Sequence, residues 1–190
     1  QAYAGWIKNL IQILTVILVA MSAFRCSVIT GNGDIPFIFP GSVQRSHYLI
    51  SFAISSWIST IFLSFVSATL AWAGTLLLFP GASPTPIILA SLVWALQIIL
   101  IHALQTVAAT VKQGIGMPLA VGFGAYLLIT MSAIFIQEGN KTPLGLVPMI
   151  NNLAQDTLET PWAWPITSSL LLIIALLFTA THIYNRAELA

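Results

Sequence analysis

An all-α, polytopic transmembrane helix bundle is the fold this sequence predicts. Two observations predict it. Charged side chains make up 6% of the 190 residues while 58% are apolar, and three long intervals carry no charge at all. A soluble domain carries about 25% charged residues, enough to coat a water-facing surface, and this chain has no such supply. No Asp, Glu, Lys or Arg falls between Arg45 and Lys112, from Gln113 to Gln137, or from Thr160 to Asn185. Each interval exceeds the roughly 20 residues that a helix needs to cross the hydrocarbon core. Lipid offers backbone N–H and C=O groups no partners, so spans of this kind should be helices. A β-barrel would alternate polar and apolar residues over about 10-residue segments, which the run Leu170 to Leu177 does not.

The elements follow in order within one transmembrane domain, residues 1–190. The first span covers about 10–24, with Tyr3 and Trp6 ahead of it as interfacial aromatics. A polar loop from Arg25 to His47 comes next, broken by Gly31-Asn32-Gly33-Asp34 and by Pro36 and Pro40. The second span covers about 48–72, and the chain breaks at Phe79-Pro80-Gly81. The third covers about 86–111. Lys112-Gln113-Gly114 then turns tightly into the fourth, about 117–136. The stretch Gln137 to Pro161 is polar. Within it, Met149, Ile150, Leu153 and Leu158 fall roughly at helical spacing, so a short amphipathic helix is expected on the outer surface, as a lid or a connector. Trp162 and Trp164 suit a membrane interface and precede the fifth span, about 165–184.

Sidedness follows from Lys and Arg. One side collects Arg25, Arg45, Lys112 and Arg186, and the other Lys8 and Lys141. The first group is therefore expected in the cytoplasm, with the C-terminus. Gln1 then lies outside, so a further span upstream is expected and the intact protein would have six.

Several functions find no support in the residues. The net charge of +1 gives nucleic acid no reason to bind. No hydrolytic constellation and no phosphate-binding loop is present, and the acidic residues all lie outside the spans, which leaves no carboxylate proton relay. Cys26, the single cysteine, excludes an internal disulfide and reads as a buried thiol. No cofactor is expected on this chain. His47, His102 and His182 raise the alternative of a haem-binding or non-transporting anchor subunit. However, His102 is ten residues from Lys112 and His182 four from Arg186, so their depths differ by roughly 9 Å at about 1.5 Å per residue.

Two groups remain as candidates. Ser51, Ser55 and Ser59 recur every four residues along the second span, beside a stripe of Ser56, Thr60, Ser64 and Ser67. Small hydroxyl residues let membrane helices approach and hydrogen-bond, so this face is a polar path, a subunit interface or ordinary packing. Gly114, Gly116, Gly122 and Gly124 carry the same readings. Gln97, His102 and Gln105 lie inside the third span and should face protein or water rather than lipid. His102 reads foremost as a buried hydrogen-bonding residue.

Two short motifs add a family resemblance. Pro40, Ser42, Arg45, Tyr48 and Leu49 sit in a loop that feeds a helix, with Val43 and Gln44 stretching the spacing, and the chain closes with Tyr184-Asn185-Arg186-Ala187-Glu188-Leu189. Both resemble motifs of type-2 ABC exporter permeases, a six-helix family, and the small size is similar to permeases for export of, or immunity to, peptide antibiotics. The resemblance implies a homodimer or heterodimer of permease subunits in membrane lipid. Each subunit would dock a cytoplasmic ATP-binding subunit that holds the ATP and magnesium. The substrate would be an amphipathic peptide or lipid. The resemblance also makes the loop with Arg25, Asp34, Arg45 and Tyr48 the place where the ATPase is felt.

Uncharged stretches of this length predict that the protein stays in the membrane pellet after an alkaline carbonate wash and enters solution only with detergent; immunoblotting of the two fractions checks this.

Overall fold

The structure, a computed structural model, describes residues 3–31, 45–135, 141–156 and 163–186. Among them all regular structure is helical. Helix α1 (Ala4–Asn9) runs through a π-helical turn (Leu10–Leu14) into α2 (Thr15–Gly31). Then come α3 (Arg45–Leu78), α4 (Thr85–Val111) and α5 (Gly116–Phe135). A 3-10 turn (Pro143–Gly145) leads into the short α6 (Leu146–Ala154), and α7 (Ala163–Arg186) closes the bundle. Among the described residues four helical stretches are long and apolar enough to cross a membrane: Ala4–Val28, Ser46–Leu78, Thr85–Val111 and Ala163–Arg186. The shorter apolar stretch Gly116–Ser132 belongs to α5.

The first two helices overrun their expected ends. The first begins at Ala4 rather than near Leu10, because the step from Asn9 to Thr15 is taken by the π turn without breaking the helix. Thr15 caps that widened turn: its hydroxyl donates to the Leu10 carbonyl at 3.0 Å. The same helix runs past Phe24 to Gly31, so Arg25 sits on a helix and not in a loop. No breaker precedes Gly31-Asn32-Gly33, so Arg25 to Gly31, and likewise Arg45 to His47, of the expected loop are helical, while residues 32–44, Asp34 among them, lie outside the described residues. Helix α3 likewise passes Trp72 and Gly74 as far as Leu78, where its apolar side chains such as Leu77 are exposed, until Pro80 and Gly81 stop it. Gly81 (φ 96°) and Gly114 (φ 99°) supply the left-handed backbone that turns α3 into α4 and α4 into α5.

Helix α4 is the hub. In its most apolar window 72% of residues are buried, against 28% for the first candidate span, 22% for α3 and 17% for α7. It packs on α2, α3, α5, α6 and α7, whereas α2 and α3 lean on it side by side and barely approach each other. One end of the bundle joins Tyr3, whose hydroxyl donates to the Ser83 carbonyl at 2.7 Å, and Trp72, whose indole N–H donates to the Ala82 carbonyl at 3.0 Å. At the other end Leu49, Val107, Ala180 and Tyr184 cluster. Arg186 and Lys112 thus share an end with the start of α3, and Lys8 lies at the opposite one.

Helix α6 departs from its expected place. It starts three residues earlier than Met149, and Leu146, Met149, Ile150 and Leu153 are all buried. Rather than riding on the surface, it is wedged against α4, α5 and α1, because its apolar stripe finds the flank of α4 to cover. Leu158 lies outside the described residues.

Trp94 lies at the centre of the hub, fully buried, its indole N–H donating to the Thr15 hydroxyl at 2.9 Å. Trp94→Ala removes that bond and opens a cavity, and a loss of about 3–5 kcal/mol is expected, read as an earlier transition in detergent unfolding followed by circular dichroism.

Candidate functional site

The polar residues of α4 meet partners on three neighbouring helices. Gln105, fully buried, donates from Nε2 to the Val19 carbonyl of α2 at 2.9 Å and to the Pro118 carbonyl of α5 at 3.2 Å. Its Oε1 accepts from the Ser22 hydroxyl. One carboxamide therefore ties three helices, with both donors and its acceptor used. Gly122 makes room for it, since a Cβ at that position would overlap the Gln105 side chain.

One turn away, His102 is buried between α2 and α3. Trp57 of α3 donates its indole N–H to Nδ1 at 3.1 Å. An indole nitrogen only donates, so Nδ1 is the acceptor and the ring proton sits on Nε2. That nitrogen faces Cys26 Sγ at 3.6 Å, and the thiol in turn lies 3.8 Å from the Thr106 hydroxyl. Thr106 donates back to the His102 carbonyl at 2.8 Å. Each of these groups thus finds a partner in surroundings where an orphan would cost about 1–3 kcal/mol. Both ring nitrogens of His102 are engaged, while His182 is exposed and stacked on Phe178, and His47 is exposed at the start of α3. Among the described residues no three His, Cys, Asp or Glu side chains gather in a metal-binding group.

Gln97, although equally buried, does not join this arrangement: neither end of its carboxamide has a hydrogen-bond partner. The serines of α3 divide by face. Ser51, Ser55 and Ser59 are exposed; the Ser59 hydroxyl is satisfied by the Ser55 carbonyl at 2.8 Å, the local bond that lets a hydroxyl sit in an apolar setting. The adjoining stripe is the packing seam. Ser64 is fully buried and donates to the Ser91 carbonyl of α4 at 2.8 Å, and Ser56 is 6% exposed with its hydroxyl unpartnered.

Because α2 and α3 do not close on one another, a cavity of about 100 Å³ remains between them over α4. Its polar lining is Ser22 and Arg25 from α2, Ser56, Ser59 and Thr60 from α3, and His102 from α4. The Arg25 guanidinium lies 5.3 Å from the centre of the Phe52 ring, a cation–π distance. Two further cavities are apolar. One, about 500 Å³, lies among α4, α6 and α7 and includes Leu89 and Met149; the other, about 410 Å³, lies among α3, α4 and α7 and includes Trp57 and Ile173.

Of the expected residues, the structure brings His102, Gln105, Arg25 and Ser59 to one region. Tyr48 is half-buried near the opening turn of α3, and Arg45 begins that helix. Trp57, Ser22 and Cys26 are additions to the site that the sequence reading did not single out as partners. Their signal was the four-residue spacing of Ser22 and Cys26, which puts a second polar stripe on the first span. No protein-family model matches the chain, and no curated protein or solved structure matches it.

Gly122 and Gln105 generate a test of sign. By helix propensity alone, Gly→Ala inside α5 would stabilise by about 1 kcal/mol. Here the new methyl displaces the Gln105 carboxamide from its three interhelical bonds, so Gly122→Ala is expected to destabilise. In a Gln105→Ala background the same change should regain its favourable sign. A double-mutant cycle by detergent unfolding measures both.

Proposed function

We propose that the chain is a membrane permease subunit of the type-2 ABC exporter kind, moving an amphipathic substrate such as a peptide antibiotic or a lipid. Counted this way, the chain crosses the bilayer five times, as α1–α2, α3, α4, α5 and α7, with the C-terminus cytoplasmic and Arg25, Arg45, Lys112 and Arg186 toward the inner face. The energy comes from a separate cytoplasmic ATPase carrying ATP and magnesium, and a second permease subunit completes the pathway.

The observation that carries this proposal is the cleft between α2 and α3. Polar side chains line it together with the exposed apolar residues Met21 and Leu63. An amphipathic molecule matches such a lining at both of its ends, and a purely structural bundle has no need of one. The exposed Ser51, Ser55 and Ser59 face continues the polar edge of α3 outward, as a wall along which the substrate would move. ATP-driven rocking of α3, transmitted through the segment around Arg45 and Tyr48 and the loop holding Asp34, would open and close the cleft.

Co-expression with the products of its neighbouring genes should capture an ATP-binding protein in a detergent-stable complex whose ATP hydrolysis rises with substrate; if no ATPase ever co-purifies, the proposal is overturned. The double variant Ser55→Leu, Ser59→Leu should abolish transport in vesicles while the permease pair still elutes as a pair. Loss of the pair instead would identify the serine face as a subunit contact in an accessory or anchoring protein.

A further inference from the structure

We infer that the α2/α3 cleft binds the anionic headgroup of a membrane lipid, with Arg25 as the counter-charge and the Ser56 hydroxyl as a donor. The inference rests on the permease proposal for its transport meaning, since it names the substrate class; binding itself is a property of this chain alone.

Charge is the first ground. Asp156 is the one acidic side chain among the described residues, and it follows α6 at the far end of the bundle. Among the described residues Arg25 therefore has no carboxylate within its cleft, and its guanidinium is held over the Phe52 ring instead. A cation within an apolar helix stretch is costly unless it is paired, and an anionic ligand supplies the pairing.

The second ground is a donor without an acceptor. Ser56 is 6% exposed, lines the cavity, and its hydroxyl has no hydrogen-bond partner. The neighbouring hydroxyl of Thr60 is occupied by the Ser56 carbonyl at 2.9 Å, which leaves Ser56 as the group placed to meet a ligand oxygen.

Size and depth decide the occupant. A volume of about 100 Å³ holds a phosphate-sized group and not a peptide. Phe52, beside Arg25, lies seven residues into α3 and Thr60 fifteen, or roughly 10 and 22 Å along the helix. Of α4's 27 residues, about 40 Å long by the same rise, some 30 Å fits inside the hydrocarbon. The cleft thus starts just below the headgroup layer and reaches about mid-bilayer. A lipid phosphate can enter it sideways while its acyl chains stay among the exposed Met21, Phe24 and Leu63.

The test uses the purified full chain, without any ATPase, in phosphatidylcholine nanodiscs doped with phosphatidylglycerol or with uncharged diacylglycerol. Native mass spectrometry counts the lipid retained on release. The wild type should keep phosphatidylglycerol in preference to diacylglycerol and phosphatidylcholine. Arg25→Gln should lower that preference about five-fold, and Arg25→Lys should retain most of it. Ser56→Leu, which fills the cleft but keeps the charge, should lower it too. Equal retention of all lipids by the wild type overturns the inference, as does an unchanged preference in Arg25→Gln or in Ser56→Leu. Arg25-dependent binding of radiolabelled inorganic phosphate without any lipid preference overturns the lipid assignment. Because no ATPase is present, loss of lipid preference refutes this inference alone, and failure of the ATPase to co-purify refutes only the permease proposal.

Discussion

Hydrogen bonds reaching from buried side chains to neighbouring helices organise this protein around α4, although its Gln97 stays without a partner. Its Gln105, His102 and Thr106 cannot turn toward lipid without stranding their hydrogen-bonding groups. Each is met by α2, α3 or α5 at a defined height. Apolar contacts between helices gain little from leaving lipid, since the two surroundings are alike. The polar contacts are therefore what fix which helices become neighbours and in which register. Gly122 and the Thr15–Trp94 pair extend the same logic, one by making room and the other by bonding across the core.

The same constraint leaves one place unclosed. Helices α2 and α3 both lean on α4 but are not drawn together, because the polar groups they share, Arg25, Ser22 and Ser56, are all donors, with no carboxylate beside them among the described residues. A seam between two such faces cannot satisfy itself. In a bilayer, that is the kind of surface on which an amphipathic molecule with an acceptor-rich end gains more than either lipid tails or a second helix would. Both the permease proposal and the headgroup inference draw on this single imbalance.

How much of this could be read from the sequence depended on the length scale. The long uncharged runs made the third helix nearly unambiguous, expected at 86–111 and observed at Thr85–Val111, because Pro84 and Pro86 mark one end and Gly114 the other. Other ends were less plain: a π turn carried the first helix back to Ala4, and α3 ran past Trp72 to Leu78, just short of Pro80 and Gly81. The short helix near Met149 was visible as an amphipathic stripe, but its burial was not, because periodicity reports that a helix has an apolar face and not what covers it. In the candidate site the individual polar residues of α4 were legible, yet their partners Trp57, Ser22 and Cys26 were not. Those pairings depend on helix order and rotation, which no local pattern encodes. The serine stripe of α3 was legible as a pattern and ambiguous as a role, and it divided into an exposed row and a buried row only once α4 was in place beside it.

The π turn at Leu10–Leu14 carries a consequence for the rest of the first helix. A π turn holds one residue more than the α-helical count, which rotates everything after it by roughly 100° about the axis. Ser22, Arg25 and Cys26 all lie downstream. Their aim into the bundle is thus owed to a single surplus residue a full two turns away, and shortening that stretch by one would swing the entire polar row of α2 out to face the tails. The geometry of the cleft was in this sense written as an insertion, in a stretch whose own side chains never touch it.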